Sequence, residues 1–166
     1  MAPGGPGSWP TPTCPRRSST PEAAFLALVE AGALEPAEGV EDFLRTLRQA
    51  GCPAAVVSNS ATARECVSAM GWGWAFQGVV GATDVTNVKP DPEPFLTAAG
   101  LLGVEARACV AVEDSPTGAA AARAAGPFVV GVGKGVAPDE VDAWVTELSA
   151  LPLERWLQLS GTEVRP

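Results

Sequence analysis

Ala108-Cys109-Val110-Ala111-Val112-Glu113-Asp114-Ser115-Pro116-Thr117-Gly118 passes from an apolar run through two carboxylates into a helix start. The run is too brief for a helix and rich in β-branched residues, which reads as a buried strand. Ser115-Pro116 supplies a capping hydroxyl and a first-turn proline, so a helix begins there and stops at Gly126. Adjacent carboxylates at the end of a buried strand repel each other unless something positive lies near. Mg²⁺ is a natural counter-charge, because it takes oxygen ligands from one or two carboxylates, phosphate and water. An aspartate acting as the helix cap is the local alternative. Ser115 already fits that job, which leaves Glu113 and Asp114 for the metal.

Outward from this stretch the same alternation recurs. Ala54-Ala55-Val56-Val57, Gly78-Val79-Val80-Gly81 and Phe128-Val129-Val130-Gly131-Val132 read as further strands. Apolar spacing and stop signals predict helices over 22–32, 40–50, 61–70, 91–102 and 138–150. The third opens at Ser60 or at the Thr62-x-x-Glu65 pattern. Short continuous apolar strands between helices predict an α/β fold with a parallel sheet covered on both faces. Ligands of such sheets sit beyond the carboxyl ends of the strands. The loops after Val57, Val80 and Val112 are therefore the candidate site.

Each of these loops carries chemistry. Ser58-Asn59-Ser60 offers a hydroxyl, an amide and nearby helix N–H groups, which suit a phosphate oxygen or, alternatively, ordinary capping. Val88-Lys89-Pro90-Asp91-Pro92 retains a lysine in a chain with nine arginines and only two lysines, Lys89 and Lys134. A compact ammonium in a proline-framed loop suits neutralisation of a phosphoryl group beside a carboxylate. A plain exposed loop lysine is the other reading.

Composition narrows the function classes. The 166 residues suffice for one domain, and 46% apolar content can build a core. A net charge of −8 argues against a nucleic-acid partner, which needs a basic face. The absence of histidine and tyrosine excludes a Ser-His or Cys-His nucleophile pair and any histidine-liganded zinc. Cys14, Cys52, Cys66 and Cys109 form no C-x-x-C pair and read as reduced thiols of a cytoplasmic protein. No apolar run reaches the roughly 18 residues that span a bilayer, so no membrane partner is expected. Residues 1–21 hold six prolines and are expected to form a disordered arm. Gly131-Val132-Gly133-Lys134-Gly135 matches neither the phosphate-binding nor the dinucleotide-binding glycine pattern.

Hydroxyl-amide, lysine and paired carboxylates, in that order at three strand ends, resemble the haloacid dehalogenase-like hydrolase superfamily. The likeness is to its phosphatase and β-phosphoglucomutase-like branch and covers roughly residues 36–133. It rests on Ser58-Asn59-Ser60, on Val88-Lys89-Pro90-Asp91-Pro92-Glu93-Pro94-Phe95, and on Val112 to Gly118 with Ala121-Ala122-Arg123-Ala124-Ala125-Gly126. The resemblance implies a Rossmann-like core hydrolysing or transferring phosphomonoesters through an aspartyl-phosphate. By it, Ser58 and Asn59 would bind the phosphoryl group, Lys89 would bridge it to the nucleophile, and Asp114 supported by Glu113 would hold Mg²⁺. The substrate class implied is a small phosphorylated metabolite.

The pattern also breaks. The family's D-x-D motif, which supplies nucleophile and general acid–base, occurs nowhere in this sequence, and no aspartate precedes Asp42. The resemblance places that motif on a first, central strand. The sequence therefore reads as an incomplete core over residues 36–160, lacking that strand and most of the cap, with 22–35 as the remnant of a cap helix. Three outcomes follow as expectations: a truncated, inactive phosphatase; a nucleophile-less phosphate-ligand or protein-binding module; or half of a split enzyme, with a complementing chain supplying the strand.

Overall fold

The computed structural model describes residues 21–33 and 36–150, together with 155 and 158. The expected proline-rich arm lies outside the described residues except for Pro21, and so does most of the segment after 150.

The chain begins with α1 (Pro21–Glu30), α2 (Val40–Gln49), β1 (Ala55–Val57), α3 (Ala63–Ala69) and β2 (Gly78–Val80). It continues through α4 (Glu93–Leu102), β3 (Val110–Glu113), α5 (Pro116–Ala125), β4 (Phe128–Val132) and β5 (Ala143–Val145). Every strand pairing is parallel, in the α/β manner expected. β1 pairs β2 with Val56 opposite Val79, while β3, β4 and β5 form a second sheet in that order. One covered sheet was expected; among the described residues there are two short ones, with β1 and β3 each paired on one side only.

What joins them is α4, which packs on β1, on β2 and on α5. Its Phe95 rests against the core formed by Ala111, Ala119, Ala122, Val129 and Val136. The small side chains of α5 let its axis approach β3 and β4 closely, with Ala121 and Ala122 wholly buried. Ser115 caps that helix by accepting from the Gly118 N–H at 3.1 Å, and Gly126 ends it at φ 102°, a left-handed conformation that glycine adopts without strain. Both ends were legible in the sequence. The expected helix starts at Ser60/Thr62 and Asp91 hold with shifts of a residue or two. Thr62 takes the N-cap position of α3 without a side-chain capping bond, while Ser60 Oγ accepts from the Thr62 N–H at 3.2 Å.

The helix expected over 138–150 is not formed. A single 3₁₀ turn, Pro138–Glu140, leads into β5, and a second 3₁₀ turn covers Leu148–Ala150. Tertiary pairing overrides the local helix signal. Asp142 Oδ2 accepts from the Val129 N–H at 2.8 Å, and the Asp142 N–H donates to the Val129 carbonyl at 3.0 Å. Trp144 Nε1 then donates to the Gly133 carbonyl at 2.8 Å, which fixes Ala143-Trp144-Val145 along the open edge of β4. No helix among the described residues is long and apolar enough to cross a membrane.

Candidate functional site

Three loops converge at the carboxyl ends of β1, β2 and β3, and the contacts between them are specific. Glu113, the last residue of β3, is the one buried charged side chain among the described residues, at 6% exposure. A buried carboxylate is costly unless paired and hydrogen-bonded. Lys89 meets that need: its Nζ forms an ion pair with Glu113 Oε1, and its side chain is only 10% exposed. The other oxygen, Oε2, accepts from Ser115 Oγ at 3.3 Å. Lys89 Nζ also lies 5.2 Å from the centroid of the Phe95 ring, whose face favours a cation.

Beneath Lys89 stands Asn59. Its Oδ1 accepts from the Lys89 N–H at 3.0 Å and its Nδ2 donates to the Lys89 carbonyl at 3.1 Å. Both ends of the carboxamide are thus committed to one backbone unit. The Asn59 side chain therefore grips the loop that carries Lys89. Ser58 extends the β1–β2 pairing by donating its N–H to the Val80 carbonyl at 2.9 Å. Its Oγ accepts from the Ser60 N–H at 3.1 Å, which leaves the hydroxyl proton to donate to an incoming oxygen.

Asp114 is exposed and stands apart from this chain of contacts. Its carbonyl presses so closely on Gly135 that a side chain at 135 would overlap it. Among the described residues no three acidic, cysteine or histidine side chains gather as a metal cluster. With Glu113 neutralised by Lys89, Asp114 is the one free carboxylate at this place. Glu113 is thus held by Lys89, while the side chain of Asp114 stands exposed beside it.

Two braces hold the Lys89 loop that sequence reasoning did not single out. Glu93, the first residue of α4, accepts from the Thr86 N–H at 2.8 Å through Oε1, and through Oε2 from the Asn87 N–H at 2.9 Å and Asn87 Nδ2 at 3.1 Å. The backbone N–H groups of Thr86 and then Asn87 hold its carboxyl below the usual glutamate range. Asp84 accepts from the Gly81 N–H at 2.7 Å and from Arg64 Nη2 at 2.8 Å, and Arg64 Nη1 donates to the Val79 carbonyl at 2.8 Å. An acidic residue in the first turn of a helix was the available signal for Glu93.

The arrangement therefore offers a shielded ammonium, a serine hydroxyl and exposed Asp114 at the ends of two sheets. A family model described as haloacid dehalogenase-like hydrolase matches residues 12–126. The chain is similar to the β-phosphoglucomutase of Bacillus subtilis (strain 168), 43% identical over 79 residues, which are 48% of this chain and 35% of that protein. It is also similar to the validoxylamine A 7'-phosphate phosphatase of Streptomyces hygroscopicus subsp. limoneus, 34% identical over 112 residues, 66% of this chain and 53% of that protein. Among solved structures, the β-phosphoglucomutase of Clostridium difficile superposes with a TM-score of 0.72 at 25% identity, covering 82% of this chain and 62% of that one. The chain thus spans about a third to a half of the length of these two curated relatives.

Proposed function

This chain belongs to the haloacid dehalogenase-like hydrolases, and from that premise we propose that it forms the phosphoryl-binding side of a phosphatase or phosphoglucomutase-like site for a small phosphorylated metabolite. The observation that carries the reading is the junction of Asn59, Lys89 and Glu113, which brings a shielded ammonium to the strand end where Ser58 presents its hydroxyl. An anionic oxygen arriving there meets an ammonium already held by an ion pair and an O–H donor, without having to order either. Lys89 holds the charge, Ser58 gives the hydrogen bond, and Asn59 fixes the loop.

Turnover is a separate matter. The sequence contains no D-x-D, and loss of a nucleophile acting within a catalytic unit costs roughly a millionfold in rate. The chain by itself is proposed to bind phosphate without hydrolysing phosphomonoesters. Mg²⁺ enters this proposal with Asp114 as its single protein carboxylate beside water and phosphate. The one-sided pairing of β1 and β3 supports a complementing chain that adds a strand between them, since an unpaired edge presents a row of free N–H and C=O groups. The free thiols of Cys52, Cys66 and Cys109 support residence in the reducing cytoplasm.

The test is a titration of the isotopically labelled chain with inorganic phosphate, followed by amide NMR. Saturable shifts at Ser58, Asn59 and Lys89 that disappear in Lys89→Ala are expected. Shifts that persist unchanged in that variant overturn the proposal. In parallel, Mg²⁺-supplemented hydrolysis of p-nitrophenyl phosphate is expected to stay at background; robust turnover abolished by Asp114→Ala would show that a nucleophile is present after all.

A further inference from the structure

Lys89 is carried by a loop without regular structure between the 3₁₀ turn Ala82–Asp84 and α4, so something must fix its path. Asn59 grips the middle of that loop from β1's side. Asp91 steadies its end, where its Oδ1 accepts from the Glu93 N–H at 2.9 Å and its own N–H donates to the Val88 carbonyl at 3.0 Å. Asp84, just before the loop, is tied to Gly81 and Arg64, and the next two residues but one are held by the carboxylate of Glu93, which collects three N–H donors from Thr86 and Asn87.

We infer that Glu93 is a positioning residue for the phosphoryl-binding ammonium: it ties the start of the loop to the first turn of α4, so that Lys89 reaches Asn59 with its backbone and Glu113 with its side chain. The inference rests on the reading of Lys89 as the phosphoryl ligand for its functional meaning, and on the hydrogen bonds alone for its structural one. The geometry suits the task. α4 is anchored by Pro94, among the most deeply buried side chains described, and by Phe95 against the core. A carboxylate on the residue before them transmits that rigidity to the loop. A carboxylate offers several lone-pair sites, so one side chain can hold two consecutive amides and a side-chain amide at once. Serine or alanine at 93 would continue the helix equally well and leave the loop's start unheld.

The experiment compares Glu93→Ala and Glu93→Gln with the parent chain by amide NMR, alone and with inorganic phosphate. Glu93→Ala is expected to move the Lys89 amide and the Asn59 side-chain NH₂ signals, although neither group touches Glu93. It is expected to weaken phosphate binding roughly tenfold, the size of one lost charge-assisted contact. Glu93→Gln keeps one acceptor oxygen and is expected to recover part of both effects. Slow hydrogen exchange of the β3 and β4 amides serves as the control for an intact core. If Glu93→Ala leaves the Lys89 and Asn59 signals unmoved, the inference is overturned; should that variant not fold, unmoved signals in Glu93→Gln overturn it equally. If those signals move but Lys89→Ala binds phosphate like the parent, the functional reading of Lys89 has failed while the positioning role stands.

Discussion

Lys89 and Glu113 set the energetics of this molecule at the scale of single residues. Their ion pair is almost shut away from water, so removing one member strands the other. Glu113→Ala is expected to cost about 3–5 kcal/mol of stability by urea denaturation, the usual penalty for an uncompensated buried charge. The carboxylate is also boxed in from α5, where a methyl at Gly118 would overlap it. Gly118→Ala should therefore destabilise by about 1–3 kcal/mol through overpacking, and should perturb the Lys89 signals as well. Burial pushes the thiols of Cys52 and Cys109 above their ordinary range, so at neutral pH both hold less thiolate than a free cysteine. Maleimide or Ellman kinetics at pH 7 on single-cysteine variants should find both slower than a small model thiol. Glu93 runs the opposite way. A carboxyl lowered in the folded state stabilises above its unfolded value, and that contribution is lost as pH falls through the lowered folded value. The Thr86 and Asn87 amide signals should thus move together on acidification, below the ordinary glutamate value of 4.5.

Elements divide into those whose ends are written locally and those whose partner decides. α5 is of the first kind: Ser115 before it, Pro116 in its first turn and Gly126 after it are all local signals, and the structure keeps each of them. Ser115→Ala removes the cap to Gly118 and is expected to cost about 1 kcal/mol, read as a lowered Tm. β5 is of the second kind. Pro138-Asp139-Glu140 is a good helix start, and it does make one turn. Nothing within 138–150 announces that Asp142 will reach across to the Val129 backbone or that Trp144 will bond to Gly133. The same limit applies to the site. The three loops and their chemical groups were readable from strand ends, but Asn59's commitment to Lys89 joins residues 30 positions apart. Glu93 carries no legible role in its motif, because a first-turn carboxylate looks like any dipole-favoured acid until its partners are known.

For the whole molecule the consequence is a fold in two sheets held together from outside, by α4 across one face and by the Asn59–Lys89–Glu113 junction at the strand ends. Among the described residues β1 and β3 are each paired on one side only, and Val112 is 39% exposed. A complementing chain should raise the Tm of this polypeptide and protect the β1 and β3 amides from hydrogen exchange, whereas an unrelated strand-forming peptide should do neither. The amino-acid sequence on its own determined the strand–helix alternation, the three loaded loops and the family, because hydrophobic period, caps and short motifs are local properties of the chain. Only the tertiary structure decided that Glu113 pairs with Lys89, that Asn59 serves the backbone, and that 143–145 is a strand. Those outcomes depend on which groups meet across long stretches of chain, where burial makes an unpaired charge or amide too costly to leave.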